Sequence, residues 1–320
     1  MVALTVLDPG LLATVQDLGR PGRGALGVAV SGAVDPLSLV VANRLLSNAD
    51  GAAALELTLE GGAYRLESDT RLALVGAPMP LVVEGPGGTR RTLEPWAAHA
   101  LAAGTVLRVG RAPWGVRAYL ALEGGLRVAP VLGSAATHVA SGLGGLGAGA
   151  LRAGDRLELG ARHAGAGPRA LPQDLGVALA ARLRAPVLRA TAGSHAERFA
   201  AALRTAFWAA TFLATEQADR MGVRLCGPAL EPPAGGVLTT EGLPVGAVEI
   251  PGLGQAIVLL ADAPPTGGYP VIACVAAVDL PRLGQLRPRE SIRFQHVQLE
   301  EARAAYRDER RRWDEALPPA

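Results

Sequence analysis

Apolar and polar positions alternate over short stretches in the first half of the chain and repeat at helical spacing in only a few places. Short apolar or alternating runs bounded by Gly and Pro read as strands at 2–7, 54–59, 71–75, 81–83, 105–109 and 116–122. Asp35-Pro36 pairs a capping acid with a proline at the first helical position, and Leu37, Val40, Val41 and Leu45 follow at helical spacing, so a helix is expected to about Leu46. A second β-rich region starts near Val187. An amphipathic helix is expected between Ser194 and Phe207, with Phe199, Leu203 and Phe207 on one face. The last helix is the clearest, with Leu299, Ala302, Tyr306, Trp313 and Leu317 on one stripe and Pro318-Pro319 ending it. Its apolar stripe is expected to pack on its own domain rather than dock a partner. Two segments, Ala103–Gly110 and Ala153–Gly160, share a turn-then-strand pattern that reads either as one hairpin unit used twice or as two β-turns alike by chance.

Composition strengthens the β reading. Glycine accounts for 41 of 320 residues, well above the usual ~7%, and 24 prolines add further turns, which leaves room for few long helices. The length suits two domains, each with its own core. The weakly patterned stretch from Ala161 to Pro172 is the expected linker, giving domains at 1–165 and 173–320. The fold class is therefore mainly β, two β-barrel domains with few short helices and a C-terminal helix.

All 31 cationic residues are arginine, and the chain has no lysine. That excludes a Schiff-base lysine, a Walker lysine and a biotinyl-lysine within the chain. It leaves positive charge to a planar fork suited to carboxylate or phosphate, which makes a poor general base. Acids number 29, interspersed with the arginines, so no basic stripe marks a nucleic-acid surface. Cys226 and Cys274 stand in no metal or redox spacing, and two packed thiols in a reducing cytoplasm are expected. The N-terminus reads as a first strand, not a signal peptide, and the longest apolar run, Val271 to Val278, is too short to cross a bilayer.

Several motifs fail on context. The glycine triplets 22/24/27 and 142/144/147 fit the dinucleotide spacing but lack the strand before and helix after that would put a pyrophosphate on a helix N-terminus. His99, His138, His163, His195 and His296 are too dispersed for a metal site, and Ser31 lies outside a nucleophile elbow. Four stretches survive: Thr14–Arg20, Ser31–Pro36, Asp219–Leu225 and Asp262–Tyr269. Each sets polar groups among residues that let backbone approach a ligand closely. Any one of them alone is better explained by tight turns and local ion pairs; together they mark a candidate site.

These same stretches carry a family resemblance. Thr14-Val-Gln-Asp-Leu-Gly-Arg-Pro-Gly, Ser31-Gly-Ala-Val-Asp, Ala42-Asn43, Leu55-Glu56, Gly142-Leu-Gly-Gly-Leu-Gly, Asp219-Arg-Met-Gly and Thr266-Gly-Gly-Tyr-Pro resemble, in order, the allophanate hydrolase subunit 2 family. That family includes the C-type component of 5-oxoprolinase, KipA-type proteins and part of the carboxyltransferase domain of urea carboxylase. The resemblance implies cyclophilin-like barrel character and action with a KipI-like B-type partner and, in 5-oxoprolinase, an A-type partner as well. The implied reaction is ATP-driven opening of the 5-oxoproline lactam to glutamate, ATP being a co-substrate of the assembly. In that reaction Arg20 and Arg220 would clamp charge, and Asp17, Asp219 and Asp262 would orient substrate or water. Gln16 would read an amide, and Ser31, Asp35, Thr266, Gly267, Gly268 and Tyr269 would complete the substrate site. No metal is implied. Two other readings stand beside it: carboxyl transfer from a separately carried biotin to urea or a similar amide, and a non-enzymatic KipA-like partner of a kinase inhibitor. The chain departs from the usual pattern where Ala263-Pro264-Pro265 replaces Arg-Gln-Thr, where Glu249 replaces glutamine, and at Gly133-Ser-Ala-Ala-Thr137.

Overall fold

The computed structural model describes residues 2–161, 169–233 and 238–320. The chain divides into two compact units, one of residues 1–20, 31–183 and 314–320 and the other of residues 21–30 and 184–313.

In chain order the first unit holds strands Val2–Asp8 (β1), Ala13–Gln16 (β2), helix Pro36–Leu45 (α1), Ala54–Thr58 (β3), Glu60–Leu66 (β4), Thr70–Gly76 (β5), Leu81–Glu84 (β6), Arg90–Leu93 (β7), Ala98–Leu101 (β8), Val106–Arg111 (β9), Arg117–Leu122 (β10), Arg156–Glu158 (β11) and helix Gln173–Leu183 (α2). They form two sheets, ordered β11-β1-β4-β9-β6-β7 and β2-β3-β10-β5-β8. Alternate residues of both build one core. Leu4, Val6, Tyr64, Leu66, Leu81, Val83, Leu107 and Val109 come from the first sheet, and Val15, Leu55, Leu57, Leu72, Leu74, Leu120 and Leu122 from the second. The period of two is what a half-buried sheet requires.

The second unit holds Val187–Ala192 (β12), helix Ala201–Ala209 (α3), Phe212–Ala218 (β13), Gly222–Cys226 (β14), Glu241–Gly242 (β15), Ala247–Glu249 (β16), Ile257–Leu259 (β17), Thr266–Gly267 (β18), Val271–Val275 (β19), helix Leu280–Gly284 (α4), Ser291–His296 (β20) and, up to Trp313, helix Leu299–Ala316 (α5), whose last residues belong to the first unit. Seven strands close a barrel in the order β12-β19-β16-β17-β14-β13-β20, and β15 pairs with β18 apart from it. Phe207, Phe212 and Phe294 pack together, the rings of Phe207 and Phe294 stacked at 5.1 Å. The molecule is thus mainly β with few helices, as its pattern implies. Barrel closure is found in the second unit, whereas the first unit's strands lie in two sheets.

The α1 helix matches expectation: the Asp35 carboxylate accepts from Ser38 N at 3.0 Å and Ser38 Oγ at 2.6 Å, a buried cap. The expected helix at 194–207 is instead interrupted. A 3-10 turn at Ala196–Arg198 gives way to extended backbone at Phe199 and Ala200 before α3 begins. Phe199 and Phe207 are both buried across that break. Leu175, Leu179 and Leu183 bury one face of α2, a helix that the Gly/Ala-rich run before it obscures. The two turn-then-strand segments are real but are not hairpins. Gly104 and Gly154 turn with positive φ, and their amides donate to Leu66 O and Val6 O on β4 and β1, strands distant in sequence. Of the expected linker, residues 162–168 lie outside the described residues. Arg169 and Leu171 bond backbone-to-backbone with Ala98 and Trp96 at the edge of the second sheet. On the C-terminal helix Ala302 and Trp313 are buried, and Leu317 just beyond it is buried too, while Leu299 and Tyr306 are about half exposed. Among the described residues no helix is long and apolar enough to cross a membrane.

Arg44, near the end of α1, forks onto Asp50 at 2.6 and 2.8 Å and also reaches Asp314 Oδ1 at 2.7 Å and Leu317 O at 2.9 Å. It holds the chain's last residues onto the first unit. Arg44→Ala is expected to lower stability by about 2–3 kcal/mol in urea unfolding, and Arg44→Lys to recover little of it, because an ammonium cannot make the planar fork.

Candidate functional site

Strand β2 is buried at all four positions, and the polar residues just after it are anchored by the 131–137 segment. Gln16 Nε2 donates to Thr14 Oγ1 and to Thr137 O, both at 3.0 Å. A carbonyl only accepts, so this fixes the amide and leaves Gln16 Oε1 buried without a partner. Asp17 accepts from Gly19 N (2.7 Å), Ser134 Oγ (2.6 Å) and Ala135 N (2.7 Å), pinning that segment. Arg20, almost fully buried, donates to Val131 O at 3.3 Å and to Ala136 O. Ser31 adopts positive φ (55°) with its hydroxyl buried and unpartnered. Gly32 follows at φ 81°, where a Cβ would stand 2.5 Å from Gly19 N, so only glycine fits. Behind this loop Glu56 accepts from Val34 N at 3.1 Å and from the Tyr119 hydroxyl at 2.7 Å, and that hydroxyl in turn accepts from Asp35 N. Burial, with the Glu56 carboxylate beside it, pushes the Tyr119 phenol well above its ordinary range.

Gln16, Asp17, Arg20, Ser31 and Asp35 therefore share one region of the first unit. Asp17 and Asp35 hold backbone in place, and Arg20 grips two carbonyls. Gln16 Oε1 and Ser31 Oγ are buried there without a hydrogen-bond partner among the described residues.

The remaining expected residues lie in the second unit. Asp219 is exposed and closes the β13–β14 turn, accepting from Met221 N (2.7 Å) and Gly222 N (3.1 Å). Arg220 and Asp262 are bonded to each other: Nε to Oδ2 at 2.8 Å and Nη2 to Oδ1 at 3.0 Å, with both side chains about 7% exposed. Their backbones are also joined, Asp262 N donating to Arg220 O at 2.9 Å. Thr266 and Gly267 pair with Gly242 and Glu241, Gly268 O accepts from Leu238 N, and Tyr269 is partly exposed.

A cleft of about 480 Å³ opens beside these elements, lined by Asp219, Arg224, Glu249, Ile257, Leu259 and Pro264 among others. Glu249 is the functional candidate that the sequence reading missed. Its signal was a lone acid among apolar neighbours, on a strand that reads as buried. Glu249 is 5% exposed, its Oε1 has no partner, and burial alone pushes its carboxyl up to about 7. A Cβ on Gly267 would stand 3.0 Å from that oxygen and 2.5 Å from Leu243 Cδ1, so the missing side chain there is a steric requirement. Among the described residues no group of three His, Cys, Asp or Glu is placed to hold a metal ion.

Two outcomes follow from this geometry. Arg220→Ala and Asp262→Ala should each cost about 3–5 kcal/mol, since each leaves a buried charge alone, and a double-mutant cycle should show the double variant costing at least about 1 kcal/mol less than the sum. For Glu249 the folded-state value lies above the unfolded one, near 4.5, so the folded state holds a proton that the unfolded chain releases. Stability from this residue is full below about 4.5 and falls as pH rises through about 7. Glu249→Gln is expected to match the parent at pH 4–5 and to exceed it by up to about 3 kcal/mol at pH 8.5 in denaturant titrations.

Known proteins share this architecture. The chain is 36% identical over 317 residues to the C-type component of the Escherichia coli (strain K12) 5-oxoprolinase, covering 98% of this chain and 97% of that one. It superposes on the crystal structure of TTHA0988 with a TM-score of 0.80 at 35% identity, covering 92% of this chain and 55% of that protein's length. It also superposes on the K. lactis urea amidolyase with a TM-score of 0.88 at 26% identity, covering 98% of this chain but spanning 20% of that much longer protein. These matches bear out the resemblance carried by the glycine-rich stretches. Residues 26–296 match the family described as carboxyltransferase domain, subdomain A and B, and the chain belongs to that family.

Proposed function

We propose that the chain is the C-type component of a cytoplasmic 5-oxoprolinase, acting with a KipI-like B-type partner and an A-type partner to convert 5-oxoproline, ATP and water to glutamate, ADP and phosphate. The observation that carries this reading is the 36% identity to the corresponding E. coli 5-oxoprolinase component over nearly the whole of both chains. A lactam C–N bond is resonance-stabilised, and phosphorylating its oxygen creates an electrophile that water can attack. The part given to this chain is to hold the lactam and its anionic successor. In the first unit Gln16 Oε1 and Ser31 Oγ have no partner among the described residues and are left to the other substrates of the reaction or to a partner protein. Asp17, Arg20, Arg220 and Asp262 act by positioning, because their polar atoms already grip neighbouring groups. Asp219 and Tyr269 are exposed and contact substrate or a partner protein. ATP is a co-substrate of the assembly.

Carboxyl transfer to urea or a similar amide is the second reading, favoured by the family match and by the likeness to urea amidolyase. The chain has no lysine to carry biotin, so that reaction needs a separate biotinylated carrier. A reconstituted assembly of this chain with its A-type and B-type partners is expected to release ADP only when 5-oxoproline is present and to lose that activity when this chain is omitted. A biotinylated companion on a streptavidin blot of the native complex, with no lactam-dependent ATP hydrolysis, would favour carboxyl transfer. A complex with neither the biotinylated companion nor the hydrolysis would favour a KipA-like binding protein.

A further inference from the structure

On the barrel, register places Arg224 of β14 opposite Ile257 of β17, and Ile257 opposite Glu249 of β16. Residues paired across strands project to the same face, and adjacent strands lie about 4.8 Å apart. One transverse row therefore carries a guanidinium, an apolar side chain and a carboxyl, its ends about 10 Å apart. All three residues line the cleft. Leu259 extends the apolar floor, and Gly222, opposite it, adds no side chain that would fill the space. Among the described residues Arg224 has no ion-pair partner and Glu249 Oε1 has no hydrogen-bond partner.

We propose that this row is a binding site for a small lactam or amide that bears a carboxylate. The ligand's carboxylate lies against the Arg224 guanidinium and its hydrocarbon part lies over Ile257 and Leu259. The Glu249 carboxyl meets its amide edge, the carboxyl O–H donating to the amide carbonyl while the carboxyl C=O accepts the amide N–H. A lactam suits this arrangement because its ring holds N–H and C=O on the same edge, where one carboxyl can engage both. The choice of 5-oxoproline as ligand rests on the proposed function; the site itself rests on the row.

The pairing needs Glu249 protonated, and its surroundings favour that form. Ile257 on β17, Val271 on β19, Leu243 and Gly267 bring it no charge. The ionisable groups nearby are Arg224, Glu216 and Asp219 in the cleft, Cys274 opposite Ala247, and Glu241 opposite Gly267. Burial is the cause of the raised carboxyl, with no cation offsetting it. Binding of this kind weakens as pH rises, whereas a site for a cationic ligand would strengthen.

The test is calorimetric titration of the full-length chain, and of its assembly with the two partner proteins, with 5-oxoproline and with pyrrolidin-2-one between about pH 5.5 and 8.5. Affinity for both ligands is expected to fall about tenfold per pH unit above about 7. Glu249→Gln should flatten that profile and retain binding at the alkaline end. Arg224→Met should weaken 5-oxoproline about tenfold or more and leave pyrrolidin-2-one unchanged, with thermal melts confirming that both variants fold. A flat or rising profile for the parent, an Arg224→Met variant that binds 5-oxoproline normally, or no binding to either the chain or its assembly overturns the site. The two proposals fail separately. Lactam-dependent ATP hydrolysis with an unchanged KM in both variants keeps the function and removes the site. The expected titrations without turnover keep the site and remove the function.

Discussion

Closure of the seven-stranded barrel is the constraint on which the second unit depends. Six of its seven strand pairings are antiparallel; the last, β12 with β20, is parallel, and it matches Val187 to Arg293 through Ala190 to His296. The seam is clasped at Arg189, whose backbone N and guanidinium all reach the buried Asp279 carboxylate, at 2.6, 2.9 and 2.8 Å. That pairing holds the Arg189 guanidinium more firmly in its charged form. A closed barrel permits no local slip, because moving one strand by one residue would turn its apolar set outward and break the register all the way round. The Arg224–Ile257–Glu249 row is a product of that rigidity.

The first unit uses polar groups differently. Its glycine-rich loops would expose many backbone donors and acceptors if left to themselves. Asp17 ties 134–135 down through two donors, Arg20 grips Val131 and Ala136, and Asn43 and Asn48 bind the carbonyls of Asp50, Ala52 and Leu122. Most of the backbone groups they bond lie in turns and loops outside the strands, where side chains supply partners that a ladder does not, which is why polar residues cluster among glycines here. Guanidinium suits the task better than ammonium. Arg44 reaches two carboxylates and a carbonyl at once, a division of donors that needs a rigid fork.

Six strands of the first unit and the helices at Asp35 and at the C-terminal end were legible in the sequence, whereas elements whose pattern is set by their neighbours were not. Strand β7, Arg90–Leu93, has three exposed positions of four and sits at a sheet edge, so its residues carry almost no alternation. Strand β4 begins at Glu60-Gly61-Gly62, which reads as a turn. Yet Gly62 takes positive φ with its would-be Cβ 2.2 Å from Asp8 O, a close approach that only the partner strand explains. The polar clusters are visible in the sequence, but how their side chains bond is not. Arg220 and Asp262 are separated by 42 positions, and nothing local says that they bond to each other rather than to a ligand.

By itself the sequence determined the mainly β character, the capped helix at Asp35, the absence of any lysine chemistry and the polar stretches that mark the family. These are local properties, written in periodicity, turn residues and composition. Only the tertiary structure decided which polar atoms stay open. Burial and partner geometry occupy Asp17, Arg20, Arg220 and Asp262, and leave Gln16 Oε1, Ser31 Oγ and Glu249 Oε1 without partners. Satisfaction of a polar group depends on residues brought together by the fold, and desolvation depends on everything packed around it.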